Sequence, residues 1–323
     1  MKITFKAISI IVLITALLLG SLAIPASEVK AQELFEEESW NDLDVPDGPP
    51  FETNLDIELG QTFEALEDHT LTSVKLKLFS AGVPGPLYVF LREGFFGNLL
   101  ASGEIDGNTL IQTYPGQWYD IPLIPVSPGS ELLIAGSTYS IAIYAPTFTG
   151  IVYWISEDFG PDYLYGDAYW NFANSAGSGW SPIAPGLIDF KFEIYGDFAS
   201  YINGTTSEVN CQGLSSVLVE VYEGPDFIRN AISDGSGNYS IPVIPGDYDV
   251  VASKSGYRNE TQSVSVGSGT YTIDFVGEHG LVPNAPSMSY VLGCINHWLY
   301  PVSPCGLSMS RVLAVINAWL YPQ

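Results

Sequence analysis

Residues 71–82 read LTSVKLKLFSAG. Val74, Leu76 and Leu78 fall on one side of an extended chain and Lys75 and Lys77 on the other, the two-residue period of a strand with one buried face. The same alternation recurs in PLYVFLREG (86–94), STYSIAIYAP (137–146), IVYWISED (151–158) and DFKFEIYG (189–196). Between these runs stand AGVPGP, YPGQ, PVSPGS and APTFTG, clusters of Gly and Pro that punctuate as turns. Strands that each hide one face are satisfied when two sheets pack face to face, so residues 51–197 are expected to form a β-sandwich.

The composition agrees with that class and narrows the partners. The 323-residue chain has 32 Gly, 22 Pro and 19 Tyr, with a formal net charge of −25. Such a surface repels nucleic acid and anionic lipid, so neither is an expected partner. Lys2 and Lys6 precede an apolar run from Ala7 to Ile24, and Val29-Lys30-Ala31 supplies a small-x-small cleavage pattern. Residues 1–31 therefore read as a signal peptide, and the protein as secreted or displayed at the cell surface. The alternative is an uncleaved anchor helix, the one route by which a membrane would enter.

Residues 32–50 are rich in Asp and Glu and interrupted by Pro, which predicts a solvated, flexible acidic arm. Within it, Asp42, Asp44 and Asp47 of DLDVPDG form a candidate structural calcium site, because hard cations take several carboxylate oxygens. No cofactor is otherwise required.

The strand order in 51–197 resembles a jelly-roll module that recurs in secreted and cell-surface bacterial and archaeal proteins. GQTFEA, LTSVKLKLF, PGPLYVFLREG, LLASGEI, WYDIPLIPV and GSTYSIAIYAP carry the likeness. It implies an accessory module related in shape to carbohydrate-binding domains. Sugars stack on aromatic faces through an apolar patch of C–H groups, and residues 152–180 concentrate aromatic rings. Tyr163, Tyr165, Tyr169, Trp170 and Trp180 are the candidate stacking residues, with Asp162 and Asp167 as acceptors for hydroxyls. Trp154 alternates within a strand and is assigned to the core.

After a hinge near 196–200, residues 198–277 resemble the carboxypeptidase regulatory-like domain, a small transthyretin-like sandwich. Gly204, Val217, Val219, Val221, Ser233-Asp234, Gly237, Tyr239, Pro245-Gly246, Tyr248 and Gly256-Tyr257 carry the match. The resemblance implies a spacer, an adhesive module or a helper beside an enzyme. SDGSGNYSI reads as a turn in which Asp234 closes an Asx-turn and Gly235 and Gly237 supply positive φ.

Residues 278–323 say nearly the same thing twice: MSYVLGCINHWLYP (288–301) and MSRVLAVINAWLYP (309–322). Leu292, Ile295 and Leu299, with Val291 and Trp298, form an apolar stripe at helical spacing, repeated by Leu313, Ile316, Leu320, Val312 and Trp319. Pro301 and Pro322 end both copies alike. A short C-terminal α-helical hairpin is expected, resembling the helices of a dockerin repeat. That likeness implies attachment to a surface or scaffold protein, with Trp298 and Trp319 as contact residues. No acidic residue follows Glu278, so the calcium loops of that family have no counterpart. Exported thiols oxidise, and the sequence neighbours Cys294 and Cys305 are the expected disulfide, leaving Cys211 unassigned.

His69, His279 and His297 stand far apart, and no G-x-S-x-G, H-E-x-x-H or phosphate-cradling motif occurs. The sequence therefore predicts a mainly β, non-enzymatic binding protein whose ligand is a polysaccharide or cell-surface glycan. A purely structural spacer is the alternative, and a carboxylate-pair glycoside hydrolase a third reading.

Overall fold

The structure is a computed structural model that describes residues 33–35, 47–147, 149–157, 166–172, 179–183, 188–300 and 307–322. The leader, Asp42, Asp44, Asp162, Tyr163, Tyr165 and Cys305 lie outside the described residues. From Glu33 onward the chain is one compact unit. It is mainly β, with two helices at its C-terminal end.

The first domain contains β1 (Glu33–Leu34), β2 (Asp47–Thr53), β3 (Ile57–Glu64), β4 (His69–Thr70), β5 (Ser73–Gly82), β6 (Pro86–Glu93), β7 (Leu99–Asp106), β8 (Gln117–Pro122), β9 (Ile124–Pro125) and β10 (Leu132–Leu133). They are followed by β11 (Thr138–Tyr144), β12 (Gly150–Glu157), β13 (Ala168–Phe172), β14 (Ser181–Pro182) and β15 (Phe192–Gly196). One sheet runs β1-β15-β5-β12-β2, with β8 on the free edge of β5; the other runs β14-β13-β3-β11-β6-β7-β9. All pairings within both sheets are antiparallel.

The stretch 71–82 is β5, and its alternation is the reason it sits where it does. Val74, Leu76 and Leu78 are fully buried, facing Leu87, Val89, Leu91, Ile141 and Ile143 of the second sheet in a common core. On the outer side Lys75 pairs with Glu193 at 3.6 Å, and Lys77 with Asp47 at 2.6 Å. Trp154 is core as expected: it stacks on Phe190 at 4.5 Å, and its Nε1 donates to the Lys191 carbonyl at 2.9 Å.

The acidic arm departs from expectation. Of residues 32–50, Glu33–Leu34 pair with β15 and residues 47–50 belong to β2, which pairs with β12. Phe35 is buried and stacks on the buried His69 at 3.8 Å. The acids supplied the signal for a solvated arm, but Leu34, Phe35 and Phe51 among them are apolar enough to anchor strands.

The second domain comprises β16 (Ser200–Thr205), β17 (Leu218–Glu223), β18 (Asp226–Ile232), β19 (Asn238–Val243), β20 (Gly246–Ser253), β21 (Glu260–Val266) and β22 (Thr270–Thr272). Sheets β19-β16-β22 and β18-β17-β20-β21 enclose Ile202, Val217, Val219, Val221, Ile241, Val250 and Phe275. The conformational signals read from the sequence hold at Asp234 and Gly237, whereas Gly235 does not adopt positive φ. Asp234 Oδ1 accepts from Ser236 N and Asn238 N, both at 2.8 Å, and Gly237 has φ +90°. Tyr239 and Tyr248 are buried and Tyr257 partly so, and they donate their hydroxyls to Ile273 O, Ile244 O and Glu208 Oε1. The segment between the domains is bonded along its length: Thr70 N donates to Asp197 O, Ala199 N to Asp68 O, and Tyr201 Oη to Asp68 Oδ2.

Helices α1 (Met288–Leu299) and α2 (Met309–Leu320) are each opened by a serine cap, Ser287 accepting from Tyr290 N and Ser308 from Arg311 N. The repeat thus begins one residue earlier than the two methionines. Val291, Cys294, Val312, Val315 and Ala318 are buried with Val209 and Val282 of the second domain, so the pair packs on that sandwich. Arg311 is ion-paired with Glu260 on β21 at 2.8 Å.

The expected cystine Cys294–Cys305 does not form: Cys294 is a free, buried thiol, while Cys211 is disulfide-bonded. Helical phase explains this. Cys294 lies three residues after Val291 and four before Trp298, on the stripe that turns inward, and burial pushes its thiol up to about 11.

Candidate functional site

On β13 the pleat separates two neighbouring candidates. Ala168 is buried in the core and Trp170 packs against it, so Tyr169 projects from the opposite, outer face of the larger sheet. Trp170 also lines a cleft of about 410 Å³ at the edge of the sandwich, with Phe51, Ile57 and Pro182. The expectation that both residues present their rings to one ligand fails on this alternation.

The outer face gathers a different set of rings. The β6–β7 connection, Gly94-Phe95-Phe96-Gly97, folds back over the sheet: Gly94 N donates to Thr138 O and Phe96 N to Ser140 Oγ. Phe96 adopts φ +53°, a left-handed conformation unusual for a bulky residue, and so swings its ring inward over β3. Trp180 stacks on that ring at 3.7 Å with planes 10° apart. Tyr169 meets Phe95 and Phe96 edge-on at 4.7 and 5.6 Å.

Gly60 makes this possible. A Cβ there would stand 2.3 Å from Phe96 Cε1 and 3.0 Å from Trp180 Cζ3. The absence of a side chain is therefore what admits the stacked pair. Phe96 is almost wholly covered, Phe95 is 55% exposed, and Tyr169 and Trp180 are partly buried.

Polar groups border the rings. Asp167 is hydrogen-bonded to Tyr169, whose hydroxyl is held above its ordinary range by burial first and then by that carboxylate. Asn171 Nδ2 donates to Glu58 Oε2 at 3.2 Å. Glu58 is pushed up by burial, a tendency that Asn171 and Arg92 partly offset.

Phe95 and Phe96 were not singled out from the sequence. The available signal was EGFFGN itself, because a hairpin turn flanked by glycines ordinarily carries polar residues.

Of the candidate calcium ligands, Asp47 alone is among the described residues, and it is ion-paired. Both Asp47 carboxylate oxygens accept from Lys77 Nζ, at 2.7 and 2.6 Å, and Lys191 stands 3.4 Å from Oδ1. Among the described residues, no group of three or more His, Cys, Asp or Glu side chains converges.

In the tail, the broad apolar stripe divides. Val291, Cys294, Ile295 and Trp298 face the packed interior; Leu292 and Leu299 do not. Exposed instead are Met288, Leu292, Leu299 and Tyr300 and their repeat counterparts Met309, Leu313, Leu320 and Tyr321. Trp298 is half-buried and Trp319 is 38% exposed.

The fold and these surfaces define a chain of two consecutive β-sandwiches with an aromatic face on the first and a helical pair on the second. Residues 202–277 match the carboxypeptidase regulatory-like domain, which is the second sandwich and about a quarter of the chain. No curated protein matches the chain. Among solved structures, it is similar to the Bacillus anthracis TIE protein (10% identity, TM-score 0.22, covering 76% of this chain and 40% of that one). It is similar also to BcpA, the major pilin subunit of Bacillus cereus (11%, 0.24, 71% and 70%). A third is the T6 backbone pilin of serotype M6 Streptococcus pyogenes (14%, 0.23, 73% and 51%). Superpositions this loose carry no functional inference.

Proposed function

We propose that the protein is an exported, non-catalytic glycan-binding protein whose first sandwich binds polysaccharide on its outer face. The observation that carries this reading is the gathering of Phe95, Phe96, Tyr169 and Trp180 on one surface with the Asp167 carboxylate beside them. Exposed ring faces bind the C–H faces of sugars, and an adjacent carboxylate accepts from sugar hydroxyls. The Phe96–Trp180 stack fixes the ring geometry before ligand arrives, which lowers the entropy lost on binding. The second sandwich and the helix pair serve as spacer and attachment element. Two symmetric exposed apolar rows on α1 and α2 are the surface through which a partner at the cell surface would be held.

The test is retention of the full chain on a panel of polysaccharides, compared with Tyr169→Ala and Trp180→Ala. Loss of retention with an unchanged melting curve supports the reading. Absence of retention on every polysaccharide returns the chain to the spacer reading, for which the hydrogen-bonded junction at Asp68, Asp197 and Tyr201 is the supporting observation.

A further inference from the structure

A second cleft, of about 470 Å³, opens where β18 of the second domain meets the 127–139 segment of the first. Arg229 lines it, and burial lowers the tendency of its guanidinium to hold a proton. Among the described residues this guanidinium has one acceptor, the Leu132 carbonyl, at a long 3.4 Å, and no carboxylate within ion-pair distance. A guanidinium offers five N–H donors, so most of its donor capacity is unused. Asp68 acts on the guanidinium electrostatically from beyond ion-pair distance, and both nearby acids accept hydrogen bonds from other groups. Asp68 accepts from Ala135 N at 2.8 Å and Tyr201 Oη at 2.9 Å, and Glu93 accepts from Asn98 Nδ2 at 3.2 Å.

Ser127, Ser137 and Thr138 contribute hydroxyls to a wall that Glu93, Leu100 and Ile134 also line, and Phe227 stands at its mouth, 51% exposed. We propose that this cleft is a separate site for a carboxylate-bearing sugar of the hexuronate class. The carboxylate pairs with the Arg229 guanidinium, whose planar fork matches its two oxygens. The ring hydroxyls bond to Ser127, Ser137 and Thr138, and the apolar ring face rests on Phe227. A neutral sugar lacks the first contact, and a simple carboxylate lacks the others. Glu93 lines the same cleft and Asp68 acts electrostatically on Arg229, so the sugar carboxylate is held by direct pairing with the guanidinium and not by a net positive field.

The experiment titrates the full chain with D-galacturonate, D-galactose and acetate, followed by saturation-transfer NMR and calorimetry, for the wild type, Arg229→Gln and Phe227→Ala. Galacturonate is expected to bind, with galactose and acetate each at least about tenfold weaker, and Arg229→Gln is expected to lose about tenfold or more. Phe227 is exposed, so Phe227→Ala keeps the fold and still weakens galacturonate, which decides the matter if Arg229→Gln fails to fold. Galacturonate that does not bind, that binds both variants as it binds the wild type, or that is matched by acetate overturns the proposal. Tyr169→Ala/Trp180→Ala leaves galacturonate binding intact, so failure here and failure of the aromatic face are read separately.

Discussion

The ring of Phe96 lies parallel to that of Trp180, 3.7 Å away, above a glycine with no room for a methyl group. Because the stack, the turn and Gly60 depend on one another, a change at the buried member propagates to the exposed ones. Gly60→Ala is expected to displace Phe96, to cost about 1–3 kcal/mol as an overpacking substitution, and to weaken glycan binding without touching a ligand-facing residue. Chemical denaturation and polysaccharide retention on the same variant check both effects. Unchanged stability would mean that Phe96 yields freely.

Trp154 contrasts with those rings. It is fully buried, stacked on Phe190 and hydrogen-bonded through its indole, so Trp154→Ala is expected to cost roughly 3–5 kcal/mol. Denaturant midpoints measure the loss. The order expected is Trp154→Ala well below Trp180→Ala in stability, and the reverse in glycan retention.

Strands β1 and β2 bind the acidic N-terminal segment to the first sheet, so deleting residues 33–50 is expected to lower the melting temperature by at least about 5 °C. Chelator is expected to leave that temperature unchanged, since Asp47 is committed to Lys77 and Lys191. Differential scanning calorimetry with and without EDTA separates the two statements; a chelator-induced drop would restore the calcium reading.

Glu278 joins the tail to the second sandwich. Its carboxylate accepts from Ser308 N at 3.0 Å and Ser308 Oγ at 2.7 Å. Partial burial pushes its pKa upward, but the Ser308 bonds and the neighbouring Arg311 outweigh it and hold the group below its ordinary value. The folded pKa is therefore depressed, and the stabilisation is complete above the unfolded value near 4.5 and lost as pH falls through the lower folded value. Helicity of the tail, followed by circular dichroism, should decline more steeply below about pH 4.5 in the wild type than in Glu278→Gln. Parallel curves would remove Glu278 as the acid-sensitive contact.

Cys294 should be silent to thiol reagents in the folded protein. Burial, reinforced by the Glu208 charge, raises its pKa to about 11, so little thiolate exists at neutral pH. Iodoacetamide followed by mass mapping should label it only after denaturation. Labelling in the native state would place it at the surface.

How far the sequence could be read depended on whether a residue's environment was set locally. SVKLKLF declared its faces because its period of two admits one assignment, and Trp154 followed from the same rule. The Asp234 turn, the tyrosines of the second sandwich and the repeated helices were likewise local signals. The tail's inward face was not legible, because Leu292, Ile295, Trp298 and Leu299 together cover too wide an arc to show which half meets a neighbour. Nor was the cysteine pattern, since closeness in sequence favoured Cys294 while helical phase turned it inward. Phe96 was hidden for a different reason: its contact with Trp180 joins residues 84 positions apart through a left-handed turn.

The central claim rests on the outer face of the first sandwich, and affinity electrophoresis of the full chain through gels containing neutral polysaccharides tests it most directly. Two stacking rings at about 0.5–1.5 kcal/mol each correspond to roughly tenfold in affinity. The account predicts that at least one polysaccharide retards the wild-type chain, and that Tyr169→Ala/Trp180→Ala, with its melting curve preserved, loses about tenfold in apparent affinity. Equal retardation of the wild type and the folded double variant, or no retardation by any polysaccharide, would contradict it.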